Sequence, residues 1–109
     1  MGMVVNRFDV FLVALDPTIG SEIKKTRPGI VISPNEINHN IKTVIIAPMT
    51  TKGKEYPTRS RIQFQGKRGL VVLDQIRTVD KARLVKKIGT IDELTSRNIC
   101  NILQEMFAP

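Results

Sequence analysis

Apolar residues recur along the chain in short blocks, each closed by a turn-forming or charged residue. "FDVFLVALD" (residues 8–16) is apolar on both alternating faces, the pattern of a central, covered strand. "GIVISP" (29–34) predicts a second strand. "KTVIIAPMT" (42–50) predicts a third, whose Pro48 suits an edge or a bulge because it donates no ladder hydrogen bond. Between them "NEINHN" reads as a polar, turn-rich loop. "RIQFQG" (61–66) alternates, with Ile62 and Phe64 inward and Arg61, Gln63 and Gln65 outward. "GLVVLDQIRT" (69–78) predicts a fifth strand, apolar until Asp74, and "LVKKIGTI" (84–91) a shorter sixth after a turn opened by Asp80.

The period then changes. Thr90 and Glu93 fit a capping box, and Ile91, Leu94, Ile99, Ile102, Leu103 and Met106 recur at helical spacing. Short strands followed by one amphipathic helix predict a mainly β domain, a small, strongly bent antiparallel barrel with a C-terminal helix packed on it. Residues 52–60 show no apolar period and read as a loop free to lie against a ligand.

At 109 residues the chain holds one domain, residues 1–109, with a single core. Apolar residues make up 41% and charged ones 25%, the balance of a globular protein, and no apolar run nears the roughly 20 residues that span a bilayer. Arg7 and Asp9 come too soon for a secretory apolar region, Met1-Gly2 ahead of Met3 reads as a cloning remnant, and Asn6 spoils a myristoylation signal. A single cysteine, Cys100, excludes an internal disulfide framework and fits a reducing cytoplasm.

Charge adds a partner class. Seventeen lysines and arginines against ten acids give +7. The excess is clustered: Lys52, Lys54, Arg59, Arg61, Lys67 and Arg68 face Glu55 alone between residues 52 and 68, and Lys81, Arg83, Lys86 and Lys87 form a second group. Such clustering suits a polyanion, nucleic acid before membrane because no basic amphipathic helix stands out, or a solvated basic surface that keeps the protein soluble.

Candidate chemistry is sparse. There is no Cys, His and carboxylate cluster at metal-ligand spacing, no phosphate-binding GxxxxGK[ST] and no GxSxG elbow, so no metal or cofactor is expected. His39, the one histidine, sits in a polar loop. Three polar features interrupt apolar strands: Arg27 ahead of the second, Thr50-Thr51 at the end of the third, and Asp74-Gln75 within the fifth. Arg27 stands before Pro28-Gly29, so its backbone is held extended beside a residue with no donor and one with no side chain. Each also has a structural reading: threonines favour strand ends, and Asp74 could close a turn or pair with Arg27.

"LDPTIGSE", "TRPGIVISP", "APMTTK" and "LDQIRTVD", in this order and spacing, resemble the MazF/PemK/Kid family of toxin endoribonucleases, across residues 8–107. The resemblance implies an SH3-like barrel with an added terminal helix, a cytoplasmic homodimer, neutralisation by a cognate antitoxin, and DNA binding as the antitoxin complex. It further implies metal-independent cleavage of single-stranded RNA at short sequences, leaving a 2′,3′-cyclic phosphate and a 5′-hydroxyl. Arg27 matches the family's active-site arginine, whose forked donors suit phosphate oxygens. Thr50 matches the active-site threonine and Thr51 an adjacent hydroxyl position.

Asp74 occupies the acidic position assigned as general base in Kid-like members. Val72 stands where Kid carries a catalytic arginine and Ser21 where Kid carries a histidine, which moves weight from a Kid-type acid–base pair towards Arg27 with Thr50. Residues 16–25 should form the loop flanking the site, with Ser21, Lys25 and Glu22, the last able to orient Arg27. Gln75, Arg77, Lys52 and Arg59 are candidates for binding RNA, and Tyr56 for stacking a base. Two rivals remain open from the sequence: a non-catalytic CcdB-like toxin that binds DNA gyrase, and a degenerate relative that binds RNA without cutting it.

Overall fold

In the computed structural model, which describes residues 3–109, the first apolar block folds as β1 (Asp9–Ala14) and is buried on both faces. The Met1-Gly2 pair lies outside the described residues. β1 is flanked by β2 (Thr26–Val31) and β7 (Leu84–Thr90), both antiparallel to it, and neither of its faces is polar because Val10 enters one apolar cluster while Phe11 and Val13 enter another. β3 (Thr43–Thr50) pairs with β2 on one edge. On its other edge it changes partner, taking β6 (Arg77–Asp80) along Thr43 to Ile46 and β5 (Lys67–Val72) at Met49 and Thr50. β4 (Arg59–Phe64) pairs with β5 and ends the sheet.

The alternating side chains divide between two apolar clusters. Val10, Ile30, Ala47, Met49 and Val71 pack with Ile99 of helix α2 (Glu93–Phe107). Phe11, Val13, Val31, Val44, Ile46 and Val79 fill the opposite face. The sheet curls until the β4–β5 hairpin reaches β7. Gln65 Nε2 donates to the Ile88 carbonyl at 2.9 Å, and the Phe64 ring lies so close to Gly89 that a Cβ there would stand 2.7 Å from the ring. The result is a half-barrel of seven antiparallel strands with one C-terminal helix, as the sequence pattern predicts.

Several local expectations change. Pro48 is neither at an edge nor in a bulge. Ile45 accepts from the Ile32 amide across the β2 side, so by ladder alternation Pro48 turns its absent donor to the other edge, where β6 gives way to β5. The fifth strand is two strands, because Leu73–Gln75 make a 3-10 turn between β5 and β6. Leu73 is fully buried inside that turn, which is why the apolar run continues through it. The "NEINHN" loop holds a one-turn helix, α1 (Asn35–Asn38). α2 is capped by Asp92, whose carboxylate accepts from the Thr95 amide at 2.7 Å, while the Thr90 hydroxyl belongs to β7 and reaches Asp9.

β5 lies unusually close to the end of β3. A Cβ at Gly69 would stand 2.7 Å from the Thr50 carbonyl oxygen, a backbone atom fixed in the sheet. Gly69→Ala is therefore expected to destabilise the fold by about 1–3 kcal/mol through forced separation of the strands. Thermal denaturation should register this as a fall of several degrees in Tm; an unchanged Tm would mean that the two strands are not in this contact.

Candidate active site

β2 begins three residues earlier than its apolar run, so Arg27 is a strand residue, paired with Val13 of β1. On the β3 side the ladder stops at Gly29 opposite Pro48. Continuing that register two residues sets Arg27 across from Thr50 on the same face, where the strands are no longer joined. Both side chains, with Thr51, line an open groove of about 410 Å³ floored by Leu12, Pro28, Met49, Ile62, Phe64 and Ile88.

Each polar group at this point has a defined free direction. Arg27 Nε donates to the Lys24 carbonyl at 3.2 Å, which fixes the plane of the guanidinium and leaves both Nη groups as donors. Among the described residues no carboxylate lies within ion-pair distance of Arg27. Thr50 Oγ1 accepts from the Lys52 amide at 3.1 Å, so the hydroxyl proton must point elsewhere and is available to a ligand oxygen. A forked cation and a hydroxyl donor facing one another suit a phosphate group.

The other expected residues fall around a second depression, lined by Ser21, Glu22, Pro48, Asp74, Gln75 and Arg77. Most of them hold protein. Glu22 accepts from the Ile19 amide at 2.6 Å and so folds its own loop; it does not orient Arg27, which takes a backbone carbonyl instead. Gln75 Oε1 accepts from the Ile23 amide at 2.8 Å, and Arg77 Nη1 donates to the Leu15 carbonyl at 3.0 Å. Arg83, which the sequence did not single out for this region, donates to the carbonyls of Ala14 and Asp16. The segment between β1 and β2 is thus pinned by side chains from residues 75–83. Lys25 and Ser21 remain exposed on it, Lys25 in the left-handed region at φ 71°.

Asp74 does not meet Arg27. Its carboxylate takes two hydrogen bonds from Arg59, at 3.0 and 3.2 Å, and one from the Thr58 hydroxyl. The Arg59 bonds, outweighing the cost of partial burial, hold the Asp74 carboxyl below the usual carboxylate range. Arg59 spends its remaining edge on the Lys54 carbonyl and lies 4.8 Å over the half-exposed ring of Tyr56. Asp74, Arg59 and Tyr56 therefore form one unit that shapes the β3–β4 loop, with Tyr56 presented at its edge.

Lys67, Arg68 and Gln65 line the Arg27–Thr50 groove and were counted in the sequence only as charge or as strand surface. The missed signal is the turn. Gln65 and Gly66 have φ 51° and 78°, the paired left-handed conformation of a two-residue hairpin, and "QG" is a weaker form of the usual Asn-Gly signature. That hairpin swings the two cations to the groove. No group of three or more His, Cys, Asp or Glu side chains that could hold a metal ion occurs among the described residues. None of their helices is long and apolar enough to cross a membrane.

Comparison with known proteins gives this arrangement a context. Residues 6–107 match the family described as PemK-like, MazF-like toxin of type II toxin-antitoxin system. Endoribonuclease EndoA of Bacillus subtilis (strain 168) is 32% identical over 108 residues, spanning 94% of this chain and 93% of that protein. MazF from Deinococcus radiodurans superposes with a TM-score of 0.85 at 21% identity, over 96% of this chain and 97% of that one. A mycobacterial endoribonuclease in complex with its cognate antitoxin gives 0.81 at 22% identity, with coverage of 96% and 97%. The two superpositions speak for the half-barrel fold; the family match and the identity to EndoA, each over nearly the whole chain, speak for descent. The chain belongs to the PemK-like, MazF-like toxin family of type II toxin–antitoxin systems.

Proposed function

We propose that this chain is the endoribonuclease toxin of its pair, a cytoplasmic homodimer that cuts single-stranded mRNA at a short sequence and is silenced when a cognate antitoxin occupies the same grooves. The observation that carries the reading is the facing pair of Arg27 and Thr50, a guanidinium without a carboxylate partner and a hydroxyl with its proton free. Identity to an endoribonuclease and likeness to an endoribonuclease solved with its antitoxin support it. Leu94 and Phe107, exposed on α2, supply apolar surface of the kind a homodimer covers.

The chemistry follows from what such a pair does to a phosphodiester. The ribose 2′-oxygen gives up its proton to solvent as it attacks the adjacent phosphorus in line, the bond to the 5′-oxygen breaks, that oxygen takes a proton from solvent, and a 2′,3′-cyclic phosphate and a 5′-hydroxyl result. Negative charge on the phosphorane oxygens rises as the attack proceeds. The two Nη groups of Arg27 then bind more strongly than in the ground state, which lowers the barrier. Thr50 donates to a second oxygen and fixes the phosphate for in-line attack, and Thr51, Lys52, Lys25 and Ser21 guide the strand on either side. None of these steps calls for a metal ion.

Asp74 takes a different role from the Kid-type base. Tied to Arg59 and ionised well below neutrality, it is a weak base, and it serves by holding the loop that carries Tyr56. The depressed value sets the sign of its pH dependence. The Arg59 clamp is complete above the ordinary aspartate pKa of about 3.9 and is lost only as pH falls through the lower folded value.

Single-turnover cleavage of a saturating RNA in EDTA tests these assignments. Arg27→Ala should remain folded and lose at least about a hundredfold in rate, the cost of one preorganised charge donor. Lysine should rescue poorly, and Thr50→Val should lose less because no charge goes with the hydroxyl. Intact RNA with the wild-type protein, or near-normal cutting by folded Arg27→Ala, would contradict the proposal. Asp74→Asn should keep the shape of the pH–rate profile and lose less than about tenfold; a general base would cost about 10²–10⁴-fold, and a loss of that size would restore Asp74 to the chemical step.

A further inference from the structure

Lys67 and Arg68 stand immediately before Gly69, the residue whose missing side chain lets β5 touch the Thr50 carbonyl. Wherever Thr50 is placed, these two cations are placed with it. They are also held still. The hairpin turn at Gln65 and Gly66 is tight, and its tip is fastened to β7 by the Gln65 bond to the Ile88 carbonyl. Both side chains are exposed, and among the described residues neither is in an ion pair.

Strand alternation sends the two cations to different faces. Lys67 lies opposite Phe64, on the face that carries the groove's apolar floor of Met49, Ile62 and Phe64. Arg68 lies opposite Gln63, on the face that Thr50 takes through its pairing with Leu70, and it also lines a neighbouring depression of about 520 Å³ beneath the β3–β4 loop. Arg68, Thr51, Ile62 and Gly69 border both hollows, so Arg68 sits on the saddle between them. The neighbouring hollow holds Arg61 as well, but that guanidinium is neutralised by both oxygens of Glu55. Among the described residues no carboxylate lines the first groove.

We propose that Arg68, with Lys67 beside it, binds a backbone phosphate flanking the scissile bond and leads the RNA strand from the Arg27–Thr50 groove over the saddle beneath the β3–β4 loop. The assignment rests on the RNA-cleaving reading and adds to it a direction for the strand and a subsite that Arg27 and Thr50 do not contain. Phosphates carry no sequence, so this contact raises affinity equally for all substrates, while discrimination lies elsewhere. Arg68 binds without taking part in the chemical step, because it meets a phosphate whose charge does not change during cleavage.

Binding of a 2′-O-methyl RNA, which cannot be cut, is measured against salt concentration for the 109-residue chain. Arg68→Gln and Lys67→Gln should each lower the slope of log affinity against log salt by about 0.7 and weaken binding about tenfold. Arg68→Lys should keep the slope. Lys86→Gln, on β7 and bordering neither hollow, should leave slope and affinity as they are. At saturating cleavable RNA the single-turnover rate of Arg68→Gln should stay within about threefold of wild type, in contrast to a transition-state contact. An unchanged slope in folded Arg68→Gln, or an equal loss in Lys86→Gln, overturns the assignment. Wild-type protein that binds the RNA yet cuts none would strike the proposed activity and leave the subsite standing.

Discussion

The contact between β5 and the end of β3 is the constraint on which the site depends. Because Gly69 presents only hydrogen to the Thr50 carbonyl, β5 closes on β3 just past Pro48, where β6 has let go. That handover leaves Thr50 at a strand end, paired on one side by β5 and open on the other. Across the opening stands Arg27, held in β2 by β1 and not by β3. A side chain at residue 69 would move Thr50, Thr51 and the hairpin cations together. The small residue is thus a packing requirement with consequences for the chemistry.

The net charge of +7 resolves into groups with different work. Arg59, Arg61, Lys87 and Arg97 are paired with carboxylates. Arg77 and Arg83 hold backbone carbonyls at the end of β1 and the start of the following loop. Arg27, Lys67 and Arg68 are left around one groove with no acid in its lining. An unpaired cation beside an acid-free groove is best satisfied by a phosphate, so these three, with the exposed Lys25 and Lys52, carry the electrostatic case for RNA.

Much of the half-barrel was legible because burial alternates where one face is covered and runs unbroken where both are. β1, β3, β4 and β7 follow their apolar blocks to within two residues or so. The break at residues 73–75 was hidden because Leu73 is buried in the turn as deeply as a strand residue would be. The helix cap was misplaced since Thr90 and Asp92 can both cap, and only the register of β7 decides between them. Arg27 and Thr50 were legible through a resemblance spread over four segments. The partners of Asp74, Gln75 and Glu22 were not, because which carbonyl or cation a side chain meets depends on loop paths that no local pattern encodes.

In the proposed reaction the substrate's own 2′-hydroxyl is the nucleophile at the phosphate held by Arg27 and Thr50. The most direct measurement uses two RNAs of one cleavable sequence in EDTA, one natural and one with a single 2′-deoxynucleotide 5′ to the scissile bond, with product ends identified by mass. The natural RNA should yield a 2′,3′-cyclic phosphate and a 5′-hydroxyl, while the substituted RNA should stay whole at that bond. Cleavage of the substituted bond, or natural product carrying a 5′-phosphate, would contradict this reaction.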